Sequence, residues 1–251
     1  MTTFSSLLVA LDDPSSESEG VTCATWLAQQ LRARLHVLPS GNLERAIVDA
    51  TIRHDVALVV LSARDASLEH GLIGRCALPT LLLPPGYREA LPWRRLVVPV
   101  SGTRADGDAL SLALQAAGAL DLTVRVLHVC DPNAADEGLE VRTRYADALH
   151  HEYPGQLDEL VGGALALFPP KERHRIQTVS LTTGDVLDQL LEMIAAEASS
   201  VVVVGWRGNL TTGRAAVLRG LIAHITSPLL LVRESPRPTS HLEIGEELDR
   251  P

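Results

Sequence analysis

Short, continuous apolar runs alternate with amphipathic stretches along most of the chain. Leu7–Leu11 is such a run, and it stops at Asp12-Asp13-Pro14. A run of that length with no polar alternation predicts a strand buried on both faces, as in parallel α/β sheets. Ser15–Ser18 supplies capping residues for a helix over Gly20–Ala33, where Val21, Ala24, Leu27, Ala28 and Leu31 recur at helical spacing. Leu35–Leu38 predicts a second strand. Gly41-Asn42 opens a helix over Leu43–Asp55, and Ala57–Leu61 and Thr80–Leu83 predict two further strands. Tyr87–Trp93, flanked by prolines, reads as a linker. Beyond it the alternation resumes, with strands at Leu96–Val100, Thr123–Val129, Ile176–Leu181, Val201–Val204 and Leu229–Val232. The helices of this part are expected at Asp106–Leu120, Tyr145–Tyr153 and Val186–Ser199. Strands alternating with helices imply parallel sheets carrying helices on both faces.

The pattern occurs twice. With Gly41 placed over Gly184, each copy shows a glycine, an amphipathic helix, an apolar strand and a loop without a gap. Each then ends in a proline-led apolar strand, Pro79–Pro84 and Pro228–Val232. Repetition of this kind makes two related units of one chain. The fold class expected is therefore α/β, as two doubly wound, Rossmann-like parallel-sheet domains. Residues 1–91 form a truncated unit of four strands and residues 92–233 a fuller unit of five. Residues 234–251, rich in proline and charge, are expected to be a disordered tail. The copies differ where chemistry would reside: the second has Gly205 and Gly208 where the first has Ser62 and Asp65. Only glycine lets backbone approach a phosphate without a Cβ in the way.

The second copy resembles the universal stress protein family. The residues that carry the resemblance are Leu96–Val100, the strand VRVLHVCD at Val124–Asp131, the stretch TTGDVLDQLLEMIAAEASSVVVVGWRG and the closing HITSPLLLV. The first copy is similar more faintly, in LLVALDD, the helix spacing of Asp49–Asp55 and LPTLLLP. The resemblance implies a doubly wound α/β fold. In one branch of the family ATP is held where the first and fourth strands diverge, and another branch does not bind it. The ATP-binding pattern has an acidic residue after the first strand and a Gly-x2-Gly-x9-Gly-(Ser/Thr) loop after the fourth. Transferred to this chain, it assigns cofactor contacts to Ser101, Val129, Gly205, Arg207, Gly208, Gly213, Arg214 and Ala216. Glycines there would turn N–H groups toward phosphate oxygens, aided by a helix N-terminus. The chain departs from the pattern: Ser101 replaces the acid, Ala215-Ala216 stand where Gly-Ser is expected, and the loop is shorter. Arg207 or Arg214 offers a charge to a phosphate instead. The first unit keeps Asp12 and Asp13, but Ser62-Ala63-Arg64-Asp65 would repel a phosphate.

Composition narrows the remaining choices. The formal charge of −9, with no basic stripe, excludes nucleic acid as the main partner. Cys23, Cys76 and Cys130 are scattered, which suits a reducing, cytoplasmic setting and forms neither a disulfide framework nor a thiolate metal site. No apolar run approaches the ~20 residues that span a bilayer. Ser101-Gly102-Thr103 with Asp106 is faintly similar to the loop of ATP pyrophosphatases, but it lacks the second glycine and the following serine. His150 and His151, adjacent on one helix, point to different faces and do not make a zinc pair. No catalytic residues emerge. The expected function is a non-enzymatic stress-response binding or regulatory module with degraded ATP motifs and no certain cofactor. The alternatives are a switch that binds ATP or another adenine nucleotide through the second unit, and, third, an adenylating enzyme. Two Leu-rich final strands need cover, so Leu81–Leu83 is expected antiparallel beside Leu229–Leu231 within one chain. That arrangement is an intramolecular pseudo-dimer and leaves a further homodimer open.

Overall fold

The computed structural model describes residues 4–10, 19–38, 45, 47, 49, 56–62, 73, 76–84, 87, 91–101, 104–130, 159, 161–163, 165–166, 169, 173–197, 200–208, 210 and 215–234. The strands are β1 (Ser6–Ala10), β2 (Arg34–Leu38), β3 (Leu58–Ser62), β4 (Thr80–Leu83), β5 (Arg95–Pro99), β6 (Thr123–Cys130), β7 (Ile176–Thr183), β8 (Ser200–Trp206) and β9 (Leu229–Arg233). The helices delimited are α1 (Glu19–Leu31), α2 (Arg104–Leu120), α3 (Val186–Ala195) and α4 (Ala216–His224). All nine strands form one sheet in the order β2-β1-β3-β4-β9-β8-β5-β6-β7. Within β2-β1-β3-β4, and again within β9-β8-β5-β6-β7, every pairing is parallel. Between β4 and β9 the pairing is antiparallel, with Thr80 opposite Leu231, Leu81 opposite Leu230 and Leu82 opposite Leu229.

The central strands are apolar on both faces because both faces are covered. On one face Leu7, Val9, Leu58, Val60, Leu81, Leu96, Val98, Val201 and Val203 pack with α1 and α2 in a single cluster. On the other, Leu8, Val59, Leu82, Val97, Val202, Leu229 and Leu231 pack with α3 and α4. The small residues Ala105, Ala109, Ala113 and Ala117 are fully buried on α2, which touches β5, β8 and β9. Asp185 caps α3 by accepting the Asp188 N–H at 3.0 Å. The sequence periodicity predicts that helix to run to Ser199, yet it ends at Ala195. Beyond that end, the Glu197 carboxylate ion-pairs with both Arg95 and Arg125 at the start of β5 and in β6.

The segment expected as a linker is anchored in the core. Tyr87 and Trp93 are buried, and the Trp93 indole N–H donates to the Tyr87 hydroxyl at 2.9 Å. Trp93 also meets Trp26 of α1 edge-on, with ring centroids 5.1 Å apart. In a chain with 3% aromatic residues, this cluster joins α1 to the strand that opens the second half. Trp93→Ala removes the ring contact and the hydrogen bond together. It is expected to lower unfolding free energy by about 3–5 kcal/mol, as large aromatic truncations in cores do, and urea denaturation monitored by far-UV dichroism measures it.

Candidate functional site

β5 pairs with β6 on one side and β8 on the other, so the direction of strand progression reverses there. Open α/β sheets place ligand crevices beyond the carboxyl ends of strands at such a switch point. The pairing of β5 with β8 stops at Val97 opposite Val202, while β8 stays beside β9 through Gly205 opposite Val232 and Trp206 opposite Arg233. The ends of β5 and β8 therefore part at this switch point.

Ser101 forms the β5 side. Its N–H donates to Asp106 Oδ2 at 2.8 Å and its hydroxyl to the same oxygen at 3.1 Å. Asp106 lies in the first turn of α2 and is 5% exposed. A carboxylate there satisfies loop donors and suits the positive end of the helix. Position 101 itself carries no acid, and the carboxylate beside it belongs to Asp106, which the sequence placed next to Ser101-Gly102-Thr103. Beneath this loop the His128 ring is buried, with Nδ1 2.7 Å from the Val100 carbonyl. The carbonyl only accepts, so Nδ1 carries the hydrogen. Val129 is buried against the α3 and α4 face.

Gly205 is part of the β8 ladder and not of the following loop. A Cβ at 205 would fall inside the Ala105 carbonyl and 2.8 Å from the Asp106 nitrogen. The glycine therefore admits the first turn of α2. Gly208, with φ of +79°, makes the left-handed turn that glycine favours. A Cβ there would lie 2.7 Å from Cζ and Nη2 of Arg233, the last residue of β9. Arg207 is exposed and sits 3.5 Å from Glu234, whose N–H donates to the Trp206 carbonyl at 2.8 Å. Trp206 itself is buried with the core. Ala216 opens α4, and its N-cap, Ala215, makes no side-chain cap. Gly213 and Arg214 lie outside the described residues, as do His150, His151 and the 131–158 segment.

The structure thus brings Ser101, Gly205 and the Asp106 carboxylate together, and places Gly208, Arg207 and Arg233 around the end of β8. Sequence reasoning did not single out Arg233 or assign Asp106 to this contact. The described residues show no group of three or more His, Cys, Asp or Glu side chains able to hold a metal. Burial pushes the Cys23 thiol up to about 12, which removes it as a nucleophile near neutral pH.

Residues 92–233 match the model of the Universal stress protein family. Several solved structures cover most of the chain, two of them as follows. A functionally unknown protein from Pseudomonas aeruginosa PAO1 shares 13% identity with a TM-score of 0.58, over 90% of this chain and 81% of its own. A universal stress protein from Archaeoglobus fulgidus DSM 4304 shares 12% identity with a TM-score of 0.55, over 92% and 86%. At these identities the likeness is one of fold. No curated protein matches the chain.

Two measurements check the site as built. Gly205→Ala forces a methyl against the α2 backbone and is expected to destabilise the ligand-free protein by about 1–3 kcal/mol, the range for overpacking. Unchanged urea stability in this variant would mean that the glycine is not needed for packing. Burial raises the Cys23 thiol from an ordinary 9.0 in the unfolded chain to about 12 in the folded one. Its contribution to stability is full below pH 9 and lost as pH rises from 9 toward 12. Cys23→Ala should flatten that alkaline decline in a series of urea titrations.

Proposed function

The chain belongs to the universal stress protein family, and from that premise we propose that it is a non-enzymatic binding and regulatory module whose nucleotide crevice serves packing. The observation that carries this reading is the surroundings of its two glycines. The missing side chain of Gly205 makes room for the α2 backbone, and that of Gly208 makes room for the Arg233 guanidinium. A glycine whose open side is filled from within gives a phosphate no close approach on that side. Ala215 and Ala216, at the start of α4, offer no hydroxyl to a phosphate oxygen, and the Ser101 hydroxyl is engaged by Asp106. Among the described residues there is neither a paired acid and base nor an activated nucleophile beside Ser101 and Gly205, and an adenylating enzyme has the least support.

The proposal extends to organisation. Residues 1–91 act as a scaffold related to 92–233, and the antiparallel β4–β9 contact lets one chain do what two matching subunits would do. A cytoplasmic setting accords with this, and no helix among the described residues is long and apolar enough to cross a membrane.

A second reading has one observation in its favour. Arg207 and Arg233 place two cations at the turn of Gly208, and such a pair attracts a phosphate. On that reading the crevice is an adenine-nucleotide switch. Thermal unfolding with ATP, AMP or cyclic AMP separates the two. The expected result is an unchanged midpoint, because at about 100 Kd a bound ligand would add about 2.7 kcal/mol. A saturable rise that Arg233→Ala abolishes would establish the switch and sink the packing-only reading.

A further inference from the structure

The two halves of the sheet are not equal at their outer ends. In the second half β6 is flanked by β7, but among the described residues no strand pairs with the outer edge of β2, which holds the equivalent place in the first half. β2 is a regular five-residue strand, RLHVL, in unbroken parallel register with β1. Its Val37 is 47% exposed, the large apolar side chain that stands out on the described surface. An apolar edge of this kind invites a further strand.

The ladder shows which residues would receive it. The Arg34 N–H donates to the Ser5 carbonyl at 3.0 Å, whereas the Ser6 carbonyl accepts from Ala57 on the far side of β1. Backbone groups of successive residues in a strand point alternately to its two edges. Arg34, His36 and Leu38 therefore bond toward β1, and Leu35 and Val37 turn their N–H and C=O groups outward. Side chains alternate as well, between the faces. Those of Leu35 and Val37 lie beside Leu7 and Val9 on the face of α1 and α2, and those of Arg34, His36 and Leu38 lie on the other. The two residues that present donors and acceptors at the edge are thus the two apolar residues of one face.

We propose that the outer edge of β2 pairs antiparallel with the same edge of a second copy of this chain, about a twofold axis at His36. That centre is the one that pairs all five residues of each strand. It sets Leu35 of one copy opposite Val37 of the other, twice, and each such pair exchanges both N–H···O bonds, the closely spaced arrangement of an antiparallel ladder. The four apolar side chains meet at the margin of the core that Leu35 already borders. On the other face Arg34 of each copy lies opposite Leu38, where its aliphatic stem packs while the guanidinium reaches water. The two Arg34 positions stand roughly 13 Å apart along the strand axis at ~3.3 Å per residue, beyond the ~8 Å screening length of physiological salt. A net charge of −9 opposes association in general, but RLHVL contains no acid, so none of the surplus sits on the strand itself. The edge is therefore its own complement. Pairing with the polar strand at the other end of the sheet, IQTVSLTT in β7, would leave an open edge on each assembly, whereas the β2–β2 contact is isologous and closes. It repeats between chains what β4 and β9 do within one. Five residues on each side make a small interface, of the class that associates reversibly.

Sedimentation velocity of the full chain over a range of concentrations tests the pairing. The wild type is expected to pass reversibly from monomer to dimer. Val37→Lys is expected to stay monomeric with its fold retained by circular dichroism, since a lysine on an edge strand resists pairing. The twofold axis also makes His36 its own opposite, as a non-hydrogen-bonded pair with Cα atoms ~4.5 Å apart, within disulfide reach. In a chain whose Cys23, Cys76 and Cys130 are replaced by alanine, His36→Cys should form a disulfide-linked dimer under oxidising conditions, and Gln177→Cys on β7 should not. A wild type that is monomeric at every concentration leaves the edge to another occupant, a segment of this chain or a different protein, and overturns the proposal. So does a dimer that Val37→Lys leaves intact, which would use another face. Growth beyond the dimer, or crosslinking through Gln177→Cys and not through His36→Cys, overturns it as well, because the pairing would then involve β7.

Discussion

Two Leu-rich strands that would each be an open edge lie against one another, and most of the architecture depends on that contact. β4 is buried along its whole length and β9 nearly so, and either one exposed would present unpaired N–H and C=O groups on an adhesive surface. Antiparallel pairing of Leu81 with Leu230 and its neighbours removes both hazards. It also turns four strands and five strands into one sheet. The two faces of that sheet then become continuous surfaces: α1 and α2 meet on one and α3 and α4 on the other. A core shared across the join follows, and the Trp26, Trp93 and Tyr87 cluster reinforces it near the start of the second half.

The crevice at the switch point is shaped by the same packing. α2 buries Ala105, Ala109, Ala113 and Ala117 beside its leucines, and its first turn reaches the sheet at Gly205, where no side chain intervenes. That approach carries the Asp106 carboxylate to Ser101, where it closes the loop. A conformation able to receive a phosphate and a conformation able to receive a helix both call for glycine. Which of the two a glycine serves depends on what occupies the space beside it.

Charge is distributed with similar economy. At the amino ends of β5 and β6, Glu197 gathers Arg95 and Arg125, joining the turn before β8 to two neighbouring strands in a site that is only partly exposed. Pairs of this kind hold geometry more than they add stability, because desolvation offsets much of the attraction. Arg175 spans from the start of β7 to Asp121 and the Leu122 carbonyl. At the other end of the strands Arg233 rests on a glycine turn and Arg207 leans on Glu234.

The sequence by itself determined the class of fold, the succession of strands and helices along the chain, and the family. Continuous apolar runs such as Val201–Val204 and Leu229–Val232 can persist only where both faces are covered, and their alternation with helical periodicity leaves a parallel α/β sheet as the consistent reading. It also pointed to Ser101 and Gly205, which the fold brings to the first turn of α2 beside Asp106. Only the tertiary structure decided how the crevice is filled. Periodicity reports which side of an element is buried, not what buries it. The meeting of Arg233 with Gly208, of Ala105 with Gly205 and of Glu197 with Arg95 joins residues far apart in the chain, so no local pattern encodes it. The same reason explains the early end of α3 at Ala195, where local spacing would continue the helix but the chain must turn for Glu197 to reach two arginines. It also explains the burial of Tyr87 and Trp93, whose flanking prolines signal a turn and whose partner ring lies on a distant helix.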